Sequence, residues 1–134
     1  MHQVITESLQ IMIIDSNPLE MGVLSDFIAD LGYAVGACYP ASAYDEYVGG
    51  AAMPVDVVIA GVSAANGCGM KQLEKIAAPH SRAALIVLAD PEFALDQNSE
   101  VIDAVHAVVR RPIHLQELEW MLARISRTKQ AGAI

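Results

Sequence analysis

Val55-Asp56-Val57-Val58-Ile59-Ala60-Gly61 is the stretch on which the fold turns. It is an apolar run of strand length with almost no alternation, the pattern of a strand covered on both faces in a parallel sheet. We place the strand at Val55 to Ala60 and its exit at Gly61. A strand of this kind delivers a side chain to the crevice at its C-terminal end. Gly61 has no side chain to deliver, and Ser63 lies just beyond it.

Working outward, the remaining elements alternate. Ile11-Met12-Ile13-Ile14 reads as a first strand ending in Asp15-Ser16-Asn17-Pro18. Asn17 suits an N-cap and Pro18 a first helical turn. The helix carries Leu19, Val23, Leu24, Phe27, Ile28 and Leu31 at helical spacing, and Gly32 ends it. Tyr33 to Cys38 is the second strand, and Ser42 to Val48 a short helix before Gly49-Gly50. After the central strand come a loop of small residues from Val62 to Gly69 and a helix from Met70 to Ala77, closed by Pro79. Ala84 to Leu88 is the fourth strand, Asp90-Pro91 opens a fourth helical segment, and Ala107 to Val109 is the fifth strand. The last helix runs from Leu115 to Arg127 and buries Leu118, Met121, Leu122 and Ile125. Five strands alternating with five helices imply an α/β fold, a parallel sheet with helices on both faces and right-handed crossovers.

Composition agrees with one domain over residues 1–134, its core at about 9–127. Of 134 residues 54% are hydrophobic, enough for a single core, and only 18% are charged. The net charge of −8 and pI near 4.7 disfavour direct nucleic-acid binding by this domain. Cys38 and Cys68 lack metal-site spacing and read as free thiols of a reducing cytosol. The polar start from Met1 to Gln10 has no signal core, and no apolar run approaches a membrane span, so the expected location is cytoplasmic.

In an open parallel sheet, function gathers at the C-terminal strand ends. Those ends present Asp15 and Ser16, then Gly61 and Ser63, then Ala89 and Asp90, then Arg111 before Pro112. With these residues the chain resembles the receiver domain of two-component response regulators. The resemblance rests on Ile11 to Pro18, Asp56 to Ser63, and Arg110-Arg111-Pro112-Ile113 before Leu118. It implies the flavodoxin-like doubly wound fold, with strand order 2-1-3-4-5. It also implies a pocket in which two acids hold magnesium, an aspartate accepts phosphate, a lysine neutralises charge, and a hydroxyl and an aromatic report the change.

The sequence departs from that pattern at almost every position. Asp15 keeps one acid, Ser16 replaces the second, Gly61 the acceptor, Ala89 the hydroxyl, and Val108 the aromatic. Arg111 keeps the positive charge without the compact geometry of lysine. Glycine cannot act as a nucleophile, so the expectation is a degenerate pseudo-receiver without cofactor, in which Asp15 is at most a residual metal ligand. Pairing of Asp15 with Arg111 is the preferred alternative. A cis peptide before Pro112, common in receivers, and an ordinary trans peptide both remain open.

A finer resemblance joins Gly36-Ala37-Cys38-Tyr39-Pro40, Pro54 to Val58 and Arg124-Ile125-Ser126-Arg127 to the degenerate receiver of amidase-operon antiterminator regulators. It implies a non-enzymatic module that docks to itself or to a sensor protein. Trp120, with Val108 and Met121, is the candidate interface, because receivers pair through their fourth helix, fifth strand and fifth helix and Trp is common at hot spots. The competing reading of Trp120 is a core-edge residue. Two other functions compete with it: a flavodoxin-like small-ligand binder or enzyme using the strand-end crevice, and phosphoryl acceptance at Ser16 or Ser63. Asn66-Gly67-Cys68-Gly69 lacks the fingerprint of a nucleotide loop and reads as a turn. His106 and His114 read as surface or capping residues.

Overall fold

The computed structural model describes residues 9–15, 17–38, 55–63, 69–78 and 82–130. The strands are β1 (Gln10–Ile14), β2 (Ala34–Cys38), β3 (Val57–Val62), β4 (Ala84–Ala89) and β5 (Val105–Arg110). All pair in parallel, in the order β2-β1-β3-β4-β5 expected from sequence. The described helices are α1 (Pro18–Asp30), α2 (Met70–Ala77) and α3 (Leu115–Gln130), with a 3-10 helix at Glu100–Ala104. The expected helix at Ser42 to Val48 and the turn residues Asn66 to Cys68 lie outside the described residues.

Alternation along the strands sorts the core into two layers. Met12, Ile14, Val58, Ala60, Val62, Val87 and Ala89 pack with Leu73, Ile76 and Val101 beneath α2 and the 3-10 helix. Ile11, Ile13, Val57, Ile59, Ile86, Leu88 and Val109 pack with Leu24 and Ile28 of α1 and Leu118, Leu122 and Ile125 of α3. Each buried Leu, Ile or Val contributes about 1.5–3 kcal/mol, so the central strands hold the strand ends in fixed register. At the opposite edge, Asp56 accepts from the Gln10 amide at 2.8 Å and from Lys129 at 3.0 Å, pinning the end of α3.

Several boundaries differ from the sequence reading. β3 lies two residues later than expected, because its pairing with β1 and β4 begins at Val57 and continues through Val62 opposite Ala89. Gly61 is therefore inside a fully buried strand. β5 is longer than expected and its register with β4 shifts between Leu85 and Ile86. The segment after Asp90 forms turns and only the short 3-10 helix, because Arg110 donates to the carbonyls of Asp90 and Phe93 and holds the loop down.

On α1 the apolar stripe is wider than the buried face. Leu24 and Ile28 are buried, while Leu19 is 82% and Val23 57% exposed. Gly32, at φ 98°, takes the left-handed conformation that ends the helix. The Arg111–Pro112 peptide is cis.

Candidate functional site

The strand-end pocket is assembled by four connections. Asp15 leaves β1, and its Oδ1 accepts the Asn17 amide at 3.1 Å. Asn17 in turn caps α1, its Oδ1 accepting from Leu19 and Glu20 at 3.0 and 3.1 Å. Glu20 in the first turn of α1 projects over the pocket. Asp90 follows β4, and Arg111 follows β5 with its amide donating to Ala89 O at 2.8 Å.

Arg111 organises these groups. Its Nε and Nη2 grip Glu20 at 2.8 and 2.7 Å, while Nη1 donates to Val62 O at 2.9 Å and Asp90 Oδ1 at 3.1 Å. Asp90 Oδ2 accepts from Ser63 Oγ at 2.8 Å. The guanidinium thus links three elements through a fork that an ammonium cannot reproduce. The hydrogen bonds to Glu20 raise the already high basicity of Arg111. Burial pushes Glu20 up, but its hydrogen bonds with Arg111 and Asp15 outweigh this and hold it below the usual carboxylate range.

The expected Asp15–Arg111 pair is thus corrected: Arg111 makes its ion pairs with Glu20 and Asp90. The reason is reach. Glu20 lies on the first turn of the helix and presents both oxygens to the guanidinium, while Asp15 is turned inward onto β3. Asp15 is only 2% exposed, and its Oδ2 accepts no hydrogen bond. Burial, then the hydrogen bond and charge of Glu20, push it up to about 7. A carboxyl that leans toward its protonated form lowers the cost of burying an oxygen without a partner.

Gly61 is what admits Asp15 there. A Cβ at Gly61 would stand 2.7 Å from Asp15 Cγ and Oδ1 and 2.8 Å from Oδ2. Those distances are well inside contact, so the Asp15 carboxyl fills the volume from which an acceptor side chain would grow. The residues do not fit the magnesium ion of receivers. Glu20 and Asp90 are engaged by Arg111, Asp15 leans toward its protonated form, and among the described residues no three acids, histidines or cysteines converge on a metal position.

The other residues singled out from sequence are dispersed. Ala89 is fully buried in the α2-side core, and Ser16 lies outside the described residues. Val108, 37% exposed, pairs with Val87 and so faces the α2 side of the sheet. Met121 is half-buried against the α1–α3 layer. Trp120 is 62% exposed on the outer side of α3, so the core-edge alternative does not describe it. Glu20 escaped the sequence reading. Its spacing from Asn17 matches a capping box, in which the acid turns back to the N-cap amide; here Asp15 takes that amide and Glu20 is released to Arg111. A separate groove of about 350 Å³ lies between α2 and the 3-10 helix, away from these groups, lined by Glu74, Ala77, Ala78, Glu100, Val101 and Ala104.

Solved structures with the same fold include response regulator receiver domains. This is the receiver-domain fold. A response regulator receiver domain protein from Clostridium thermocellum superposes with a TM-score of 0.71 at 17% identity, over 92% of this chain and 98% of that one. The signal receiver domain of an HD domain-containing protein from Pseudomonas fluorescens Pf-5 gives 0.68 at 19% identity, over 98% and 96%. The N-terminal domain of an uncharacterized protein from Wolinella succinogenes gives 0.70 at 22% identity, over 93% and 99%. No protein-family model matches the sequence, and no curated protein is significantly similar to it. Against the receiver-domain fold, the pocket stands out by content: a guanidinium and an inward-turned, buried carboxyl occupy the strand ends.

Proposed function

We propose that this chain is a receiver-like signalling module that takes no phosphoryl group and acts by protein–protein docking, without catalysis or cofactor. The observation that carries it is the Asp15 carboxyl seated on Gly61, with Arg111 holding the neighbouring acids. Asp15, Gly61 and Arg111 carry the degenerate acceptor pocket, with Ser16 and Ala89 assigned to it by their place in the sequence, and Trp120, Val108 and Met121 remain the candidate contact residues. The partner is a sensor or regulator protein, or a second copy of the chain. The cell compartment is the cytoplasm; among the described residues no helix is long and apolar enough to cross a membrane. Incubation with acetyl phosphate and magnesium, read by intact mass, tests the pocket. No adduct is expected. A stoichiometric phosphoryl adduct, on Ser63 or elsewhere, overturns the proposal.

The wider role we propose is that of the N-terminal domain in a transcription antitermination regulator. Its support is the resemblance of Gly36 to Pro40, Pro54 to Val58 and Arg124 to Arg127 to the degenerate receiver of amidase-operon regulators. The acidic charge supports a reading in which any RNA contact lies outside these residues. Read-through of a reporter terminator, in cells with and without the gene, tests this role. Unchanged read-through defeats antitermination and leaves the docking proposal standing.

A further inference from the structure

The outer faces of α1 and α3 carry matched stripes. On α1, Leu19, Val23, Asp26 and Asp30 recur at helical spacing, and all four are exposed. On α3, Trp120, Arg124 and Arg127 do the same. Each stripe is apolar toward the helix start and charged toward its end, with opposite sign on the two helices. None of these four charged residues is in an ion pair among the described residues.

The stripes are also level. Both helices begin at the strand-end edge, and both pack on the same face of the sheet. Counted from Pro18 and Leu115, Val23 and Trp120 are each the sixth residue, and Asp30 and Arg127 each the thirteenth. Asp26 is the ninth and Arg124 the tenth, a displacement of about 1.5 Å. Beside Leu19 and Val23 runs a groove of about 300 Å³, whose other walls are Leu24, Ile113 and Leu115 with Glu20 at its floor. It is an apolar recess at the height of an indole.

We infer that this face pairs with a second copy of the chain, α1 of one protomer lying parallel on α3 of the other, twice. A twofold axis parallel to the helices produces that arrangement. It sets Trp120 against Leu19 and Val23, and Asp26 and Asp30 against Arg124 and Arg127. Parallel pairing of α3 with itself would oppose Arg124 and Arg127 to their own copies, and α1 with itself would oppose the aspartates, so charge selects the crossed pairing. Small residues Gly22 and Ala29 border the α1 stripe, and a Cβ at Gly22 would meet nothing within 4 Å, leaving room for a helix to approach. The inference deepens the docking proposal by naming its partner and surface. It differs from the sequence expectation in leaving out Val108 and Met121, which face elsewhere.

Sedimentation velocity on the full chain over a wide concentration range tests it. A reversible dimer is expected. Trp120→Ala weakens it by about thirtyfold or more. Reversing either charge set, Asp26→Lys with Asp30→Lys or Arg124→Glu with Arg127→Glu, weakens it by about tenfold or more. Mixing the two reversed proteins restores a heterodimer, because both crossed contacts then become attractive again. That rescue also shows that both variants are folded. A monomer at every concentration overturns the inference, as does a dimer indifferent to Asp26 and Asp30, or a mixture that fails to associate. Acetyl phosphate reads the pocket and not this face: a monomer that takes no phosphoryl group defeats the dimer alone, and a dimer that takes one defeats the pocket proposal alone.

Discussion

One methyl group added at Gly61 is expected to change the sign of its effect according to the residue at position 15. In the native protein the Cβ of Gly61→Ala would stand 2.7–2.8 Å from the three outer atoms of Asp15. Carbon contacts settle near 3.5–4.0 Å, so roughly 1 Å must be found. Asp15 cannot yield it cheaply. It is buried, and its Oδ1 is held by the Asn17 amide at 3.1 Å. Overpacking of this kind costs about 1–3 kcal/mol. Alanine recovers about 0.5–1 kcal/mol over glycine within a strand. The net expectation is a loss of about 1–2 kcal/mol. With Asp15→Ala as background the carboxyl is gone, the clash with it, and the same methyl should stabilise by about 0.5–1 kcal/mol. Urea unfolding of the four proteins, at matched m-values, closes the double-mutant cycle. Equal destabilisation in both backgrounds, or a silent Gly61→Ala in the native one, would refute the claim that Asp15 occupies the acceptor volume. Gly61→Asp inherits the same collision and adds a charge beside a carboxyl already short of solvation. Restoring the acceptor alone should therefore not rebuild a working pocket.

Asp15→Asn should flatten the dependence of stability on pH. The Asp15 proton is retained in the native state up to about 7 but leaves the unfolded chain near 3.8, so its contribution is complete below about 3.8 and lost as pH rises through about 7. The decline is worth at most roughly 4 kcal/mol, read as urea midpoints at acid and alkaline ends of that window; an unchanged slope in the variant would exclude Asp15 as its source. Glu20, held below 4.5, acts in the opposite sense and loses its contribution as pH falls beneath that range. Arg111→Met should cost about 2–3 kcal/mol, because Glu20 and Asp90 lose their cation beside Asp15; Arg111→Lys should recover only part, and full recovery in the same unfolding assay would show that the fork is dispensable. Gly22→Ala, where the new methyl meets nothing of its own chain within 4 Å, should stabilise the monomer, unfolded in urea at dilution, by up to about 1 kcal/mol, and a loss there would place a neighbour of the same chain against it.

The sheet was legible in the sequence because its signals are local. Ile11 to Ile14 and Ala84 to Leu88 are apolar without alternation, and Asn17-Pro18 and Gly32 punctuate α1. What sequence misplaced depends on distant partners. The start of β3 is decided by register with β1 and β4, and Asp56 is withdrawn from the strand into bonds with Gln10 and Lys129. The stretch Glu92 to Asp96 has no helical period, and carbonyl contacts from Arg110 shape it. Glu20 and Arg111 are 91 residues apart, so nothing near either announces their pairing. Leu19 and Val23 misled for a different reason. Periodicity reports which side of a helix is apolar, but not how far the neighbouring element extends to cover it.

The nature of Arg111 connects the pocket to the surfaces. Asp15, Glu20 and Asp90 bring three acids to the strand ends, and such a cluster requires compensation. A metal ion supplies it reversibly and leaves an open coordination position for chemistry. A guanidinium supplies it permanently and commits four of its five N–H donors to Glu20, Asp90 and Val62 O. A pocket compensated from within the chain has one arrangement whatever small ions surround it. On the proposed reading, information therefore cannot enter as a change of charge at the strand ends. It has to enter as occupancy of a face, and among the described residues the face that combines exposed apolar side chains, Leu19, Val23 and Trp120, with complementary charges is the one formed by α1 and α3.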